Sequence, residues 1–385
     1  MSSDSIKRAA PTKLKEPPLS RGKRLLFFSV LALLLLLFAE ASLHLFYRAS
    51  VGRWLWEWWA VPIYEADPVR VYRLKSNLDY VHRTREFTAR YRTDALGLRT
   101  DGLAPPLTMA KSNDVFRVLA LGPSFTFGWG VDYEDAFIHQ IARGLRVPGK
   151  RVELINLGTP SQSIPFQLKW LRETGHLYQP DLILQTAYGD LGSMECDDVL
   201  PLSLPYVKDG YLHMQEETWL KKARLRSATL FYGWHVYHSA IGARGDSAGD
   251  GRELYRKETA ATDAAALDRF RKYISFVHNA TPNKPTVVFL NIPLAYTVRP
   301  TDRSRVSRPV DVNEARVHAA HITALLQSQG IIVINPLETL LEKDKAVRMY
   351  NLYDIHFTRE GNKVTAEYAL PRLQEIVSRR QSAGK

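Results

Sequence analysis

The sequence predicts an α/β layer fold, and three observations carry that prediction. Short apolar runs recur beyond residue 110, helical patterns separate them, and several runs stop at a helix breaker or turn. Alternation of this kind packs a parallel sheet between helices on both of its faces. The strand candidates, in order, are Val115 to Leu121, Val152 to Leu157, Leu182 to Thr186, Thr286 to Leu290 and Ile331 to Ile334. The helix candidates between and beyond them are Asp135 to Leu145, Phe166 to Tyr178, Ala264 to Ala280 and Asn313 to Gly330. Three strands finish in turn chemistry, at Gly122-Pro123, Gly158-Thr159-Pro160 and Gly189-Asp190. Ligands of open α/β sheets collect outside the carboxyl ends of the strands, so Ser124, Gly158 and Gly189 all fall on the rim where a site is expected.

The amino end is of a different nature. Residues 1–24 are polar and rich in Lys, Arg, Pro and Ser, a composition that resists folding. Leu25 to Tyr47 is almost wholly apolar, and as a helix it reaches across a hydrocarbon core of roughly 30 Å. Lys13, Lys15, Arg21, Lys23 and Arg24 precede it, so the positive-inside rule puts residues 1–24 in the cytoplasm and everything after Tyr47 outside. A single-pass membrane protein with an extracytoplasmic domain is therefore expected, with the lipid bilayer as a partner through Leu25 to Tyr47. Ala39-Glu40-Ala41 also fits a signal-peptidase pattern, so a cleaved signal peptide is the rival. The anchor is preferred, because the apolar run continues past that site and Arg53 to Ala60 ("RWLWEWWA") supplies tryptophans suited to a membrane boundary. Residues 48–112 then form a juxtamembrane segment and arm, residues 113–380 the main domain, and residues 195–262 an insertion within it.

Composition narrows the rest. The 385 residues, 45% hydrophobic and 24% charged, are enough for one large domain with an appendage. The formal charge of +12 lies partly in the amino-terminal segment and is otherwise scattered, without a nucleic-acid motif, so no nucleic-acid partner is expected. The one cysteine, Cys196, excludes an internal disulfide; beside Asp197 and Asp198 it reads as structural. No histidine grouping reads as a metal site: His318 and His321 share a helix face without a carboxylate cluster. In the insertion, "YVKDGYLHM" predicts a hairpin, "GARGDSAGDGRE" a loop with no adhesion role for its Arg-Gly-Asp, and the aromatics of "FYGWHVY" packing in the insertion's core.

Ser124 stands in "LALGPSFTFGWG", where an apolar strand ends in a glycine-proline break. A serine hydroxyl is a poor nucleophile until a base takes its proton and a third group orients that base. The candidate base and orienter lie in "NLYDIHFTREGN": His356 and Asp354, two residues apart, just before a helix for which Thr358 is the expected N-cap.

On these residues the chain resembles the SGNH (GDSL-type) hydrolase superfamily, especially its membrane-anchored bacterial members. "VLALGPSFTFGWGV" resembles the first block, "INLGTPSQS" the second, "PDLILQTAYGDL" the third and "DIHFTREGN" the last, while "YRTDALGLR" resembles the stretch before the first block. The resemblance implies a three-layer α/β/α sandwich with a flavodoxin-like parallel sheet. It also implies ester hydrolysis or acyl transfer with no cofactor and no metal. Ser124 would be the nucleophile, His356 the base, Asp354 its orienter, and backbone N–H groups of Ser124 and Gly158 the oxyanion donors. Two departures stand out. Pro123 occupies the place of the usual aspartate, and Gly189 the place of the asparagine whose amide completes the oxyanion hole. Losing one such donor costs about a hundred- to a thousand-fold in rate; Asn156, Gln162 and Gln185 are the candidate substitutes. The expected substrate is an ester, acetyl on an envelope or secreted glycan first and a small or lipid ester next. The alternative is a binding or assembly factor for envelope polysaccharide that kept the fold and lost the oxyanion hole.

Overall fold

The structure is a computed structural model that describes residues 20–51, 54–57, 61–103, 107–189, 191, 194, 199–202, 204–213, 218–242, 260–299, 311–352 and 354–383. Lys13, Lys15, Arg53, Asp190, Cys196 with its two aspartates, and the Arg-Gly-Asp loop lie outside the described residues.

Helix α1 (Arg21–Val51) contains the apolar run and is long and apolar enough to cross a membrane. An arm of small antiparallel sheets follows: β1 (Tyr64–Asp67) with β2 (Val71–Leu74), then β3 (Asp79–Arg83), β4 (Thr88–Thr93) and β5 (Arg99–Thr100). The sequence predicts only an extended arm here, because each strand is short and carries charges at its exposed positions.

The main domain opens with β6 (Val115–Leu121), whose seven residues are all buried, as a strand covered on both faces requires. It continues with α2 (Ser124–Phe127), α3 (Phe137–Gly144), β7 (Arg151–Asn156), α4 (Ile164–Glu173) and β8 (Leu182–Tyr188). The insertion gives β9 (Tyr206–Lys208), β10 (Tyr211–His213), α5 (Trp219–Arg226) and α6 (Ala228–Gly242). The remaining elements are α7 (Ala260–Ala280), β11 (Thr286–Ile292), α8 (Ala295–Val298), α9 (Val312–Ser328), β12 (Ile332–Ile334), α10 (Leu337–Asp344) and α11 (Arg359–Ala383). The predicted hairpin is β9–β10, turning at Asp209 and Gly210, both at positive φ as a tight hairpin turn demands.

The strands β7, β6, β8, β11 and β12 lie side by side in that order, all parallel. Numbered by sequence this is 2-1-3-4-5, the flavodoxin-like doubly wound order. Alternating side chains of β6 feed the two layers. Val118 and Ala120 join the core under α3, α10 and α11, and Leu119 and Leu121 join the core under α4, α7 and α9. The order reverses between β6 and β8, so the carboxyl ends of these two strands flank the topological switch point, the place where doubly wound sheets hold ligands. Ser124 follows β6 directly and Gly189 follows β8.

Candidate active site

Gly122, at φ 157°, turns the chain out of β6; a Cβ there would collide with the hydroxyls of Thr126 and Thr186. Pro123 is extended, and Ser124 opens the short helix α2, which Gly128 ends in the left-handed conformation. The turn is closed by its own backbone, Phe127 N–H donating to Pro123 O at 3.1 Å and Trp129 N–H to Ser124 O at 3.0 Å. It leaves Ser124 half-buried at the strand's carboxyl end.

The loop after β12 and α10 returns to the same rim. His356 Nε2 lies 2.5 Å from Ser124 Oγ, and His356 Nδ1 is hydrogen-bonded to Asp354 Oδ1. A carboxylate can only accept, so Nδ1 carries the proton and Nε2 accepts from the serine hydroxyl. The same Asp354 oxygen takes the backbone N–H of His356 at 2.9 Å, and its other oxygen accepts from Trp129 Nε1 at 3.1 Å. His356 is 4% and Asp354 8% exposed, so this hydrogen-bonded pair is withdrawn from water. Phe125 packs against the imidazole at 4.8 Å and Trp129 at 5.6 Å, fixing the ring plane. Thr358 caps α11 as expected, accepting from the N–H of Gly361 at 3.1 Å.

The donors expected around an oxyanion are arranged differently from the sequence expectation. Gly158 N–H donates to Asn156 Oδ1 at 2.9 Å, and Gly189 N–H donates to Ile292 O at 2.9 Å. Ser124 N–H, first in its helix, has no intrahelical acceptor, as helix geometry dictates. The three candidate amides are also in use. Asn156 Nδ2 donates to Thr126 O, Gln162 Nε2 to Tyr72 O, and Gln185 Nε2 to Thr186 O. Gly158 has a packing reason of its own: a Cβ would meet Phe127 N at 2.3 Å and Thr126 C at 2.6 Å, both backbone atoms of the serine turn.

Sequence reasoning did not single out the support that comes from the arm. Arg99, 2% exposed, donates to the carbonyls of Phe127, Gly128 and Val131 at 2.8, 3.0 and 2.9 Å. Burial pushes its guanidinium down to about 10, which leaves it cationic at neutral pH. Tyr91, its phenol pushed upward by burial, accepts from Gly130 N–H at 2.9 Å and meets His82 Nδ1 at 3.1 Å. The tip of the β3–β4 hairpin reaches the other half of the site. Glu86 accepts the backbone N–H groups of Leu352 and Asp354, and its neighbour Arg85 donates to Ser50 O at 2.6 Å, in the last turn of α1. One hairpin thus touches both the end of the apolar helix and the loop that carries His356. The legible signal was "YRTDALGLR", which contains Arg99; nothing local marks Glu86.

No protein-family profile matches the chain, and no curated protein matches it. Among solved structures, a lipolytic protein of the G-D-S-L family from Veillonella parvula DSM 2008 is similar. It has 13% identity and a TM-score of 0.35, with 66% of this chain and 97% of that one covered. The lipase/acylhydrolase from Enterococcus faecalis is similar at 14% identity and TM-score 0.35, covering 68% and 96%. A two-domain esterase active on acetylated mannans is similar at 9% identity and TM-score 0.37, covering 69% of this chain and 50% of that one.

Proposed function

We propose that this chain is an SGNH-type serine hydrolase, tethered by α1 to a membrane, that cleaves or transfers an ester-linked acyl group. The observation that carries this reading is the continuous set of hydrogen bonds from Ser124 through His356 to Asp354 at the sheet's switch point. In the first half-reaction Ser124 Oγ attacks the ester carbonyl while His356 Nε2 takes the hydroxyl proton. The imidazolium is held by Asp354, and it returns that proton to the departing alcohol as the tetrahedral intermediate collapses to an acyl-serine. In the second half, water or an acceptor hydroxyl gives its proton to the same nitrogen and attacks the acyl-serine. Collapse of that intermediate breaks the bond to Ser124 Oγ, which takes the proton back from His356, and the acid or new ester leaves.

Acetyl on an envelope or secreted glycan is the substrate we assign, at the outer face of the bacterial inner membrane. What supports it is the resemblance in the four blocks together with the position of the site. Arg85 bonds the last turn of α1 while the adjacent Glu86 bonds the His356 loop, so the reacting serine works close to where the chain leaves the bilayer. Polymers emerging at that surface are within its reach.

A second reading has one specific observation in its favour. With Gly158 and Gly189 N–H both engaged, Ser124 N–H is the expected oxyanion donor that remains, which favours a slow enzyme or a binding factor. Turnover of 4-nitrophenyl acetate by the full chain in detergent micelles separates the two. The enzyme reading requires hydrolysis above background that S124A and H356A each lose while keeping the wild-type circular dichroism spectrum. A folded wild type without turnover favours the binding factor.

A further inference from the structure

Helix α6, ATLFYGWHVYHSAIG, has no charged residue in its length. A helix bathed in water shows charge on its outer face, yet here Leu230, Trp234, Val236 and Tyr237 are exposed, Val236 at 68%. The expected insertion core is not what these aromatics build. Ala228, Phe231 and Tyr232 turn inward, and they pack on α1 and its exit: on Leu43, Tyr47 and Leu55, with Phe231 edge-on to Tyr47 at 5.6 Å. On α1 Leu45 and Phe46 are exposed as well, and the Phe46 ring lies 6.1 Å from Tyr232 of α6. Contiguous apolar surface of this kind is a contact site, and here it extends a surface that already belongs to the membrane helix.

Glu40 joins the two helices and sets the depth. Its carboxylate accepts from Ala228 N–H at 2.7 Å, Thr229 N–H at 3.0 Å and Ser227 Oγ at 3.1 Å, so a residue of α1 caps α6. Counted from Arg24, Glu40 lies about 24 Å along the helix axis, within a hydrocarbon core of roughly 30 Å. A carboxylate at that depth is tolerated when it is paired with donors, and α6 provides them. Helix α6 begins, therefore, at the outer edge of the hydrocarbon. At 15 residues it is too short to span a bilayer. The preceding α5, WLKKARLR, has four basic residues and no acidic one, the charge that suits anionic headgroups. Arg224 sits over the Trp234 ring at 4.4 Å, tying the basic helix to the aromatic one.

We propose that α5 and α6 form a second membrane contact, α6 lying in the outer leaflet against α1 and α5 resting on anionic lipid headgroups. This rests on the reading of α1 as a membrane anchor. Together the three helices hold the domain at one tilt, with the Arg85–Glu86 hairpin and the site it supports facing a fixed height above the lipid.

The test uses the full chain in vesicles of phosphatidylethanolamine and phosphatidylglycerol, with its one cysteine replaced (C196S) and a nitroxide placed by L34C, V236C or K345C. Leu34 lies mid-span and the Lys345 side chain is 75% exposed on α10's end of the main domain. Relaxation enhancement by oxygen against a water-soluble nickel chelate reports depth. The expected result is a several-fold higher oxygen-to-nickel ratio for L34C and V236C than for K345C. V236C reading like K345C while L34C reads as buried overturns the second contact and leaves the anchor standing. L34C reading like K345C overturns both. Spin–spin broadening at V236C that disappears on dilution with unlabelled protein would show a second copy on this face instead of lipid.

Discussion

The carboxylate of Glu86, at the tip of an arm hairpin, accepts the backbone N–H of Asp354 at 2.9 Å, 268 residues further along the chain. It also takes the N–H of Leu352, so one side chain fixes both ends of the short segment leading into His356. Charge-assisted bonds to backbone donors are worth roughly twice neutral ones, so this contact holds the segment that leads into His356, the proposed base. E86A is expected to lower kcat on 4-nitrophenyl acetate about ten- to a hundred-fold with KM little changed. E86Q, which keeps one acceptor oxygen, should fall between the two. Equal kcat in all three proteins would mean that the loop holds its own shape.

Trp129 reaches the same aspartate from the serine side, through its indole N–H at 3.1 Å. W129F keeps a buried ring and deletes the donor. Losing one hydrogen bond to a charged group costs about 1.5–3 kcal/mol of stability, so Tm should fall by only about 3–10 °C, while the less firmly held aspartate should lower kcat by about ten-fold. A large fall in Tm with unaltered kcat would assign Trp129 to packing alone.

Arg99 binds three carbonyls of the turn after Ser124, and it is fully enclosed. R99M leaves those carbonyls without their cation, a loss of about 3–5 kcal/mol by analogy with broken buried charge networks. Differential scanning calorimetry should show Tm lowered by about 10 °C. R99K retains charge without the planar fork and should recover only part of it. An unchanged Tm in R99M would contradict the clamp.

Gly158 lies pressed against the backbone of the serine turn. In G158A the new methyl carbon would stand 2.3 Å from Phe127 N, a backbone atom that cannot step aside without moving α2 and Ser124. The variant is expected to lose more than about a hundred-fold in kcat or to fail to fold. Wild-type kinetics in a folded G158A would show that the turn tolerates displacement.

Much of the fold was legible because buried parallel strands announce themselves. Val115–Leu121 and Thr286–Ile292 are near-continuous apolar runs, the first ended by Gly122-Pro123 and the second by Pro293. The meeting of Ser124 with His356 was legible for the same reason, since both follow strands whose carboxyl ends share one rim. Hydrogen-bond partners set by tertiary approach were not legible. Asn156 looked like a spare amide and instead satisfies Gly158 N–H and Thr126 O, a pairing that exists only once β7 lies against the serine turn. The arm's contribution was hidden because β3, β4 and β5 are short and half-exposed, with Arg99 and Glu86 indistinguishable from surface charges until the hairpin is folded. The aromatics of α6 misled toward a core because sequence does not say which neighbour a helix leans on; here that neighbour is α1.

The central claim is that an imidazole held by Asp354 turns the Ser124 hydroxyl into a nucleophile. Labelling the full chain with a fluorophosphonate and locating the adduct by peptide mass spectrometry tests it most directly. The account predicts a single stoichiometric adduct on Ser124, absent in S124A and slowed by at least about a hundred-fold in H356A. A folded protein that takes no label, or takes it on another serine at the same rate in H356A, would contradict it.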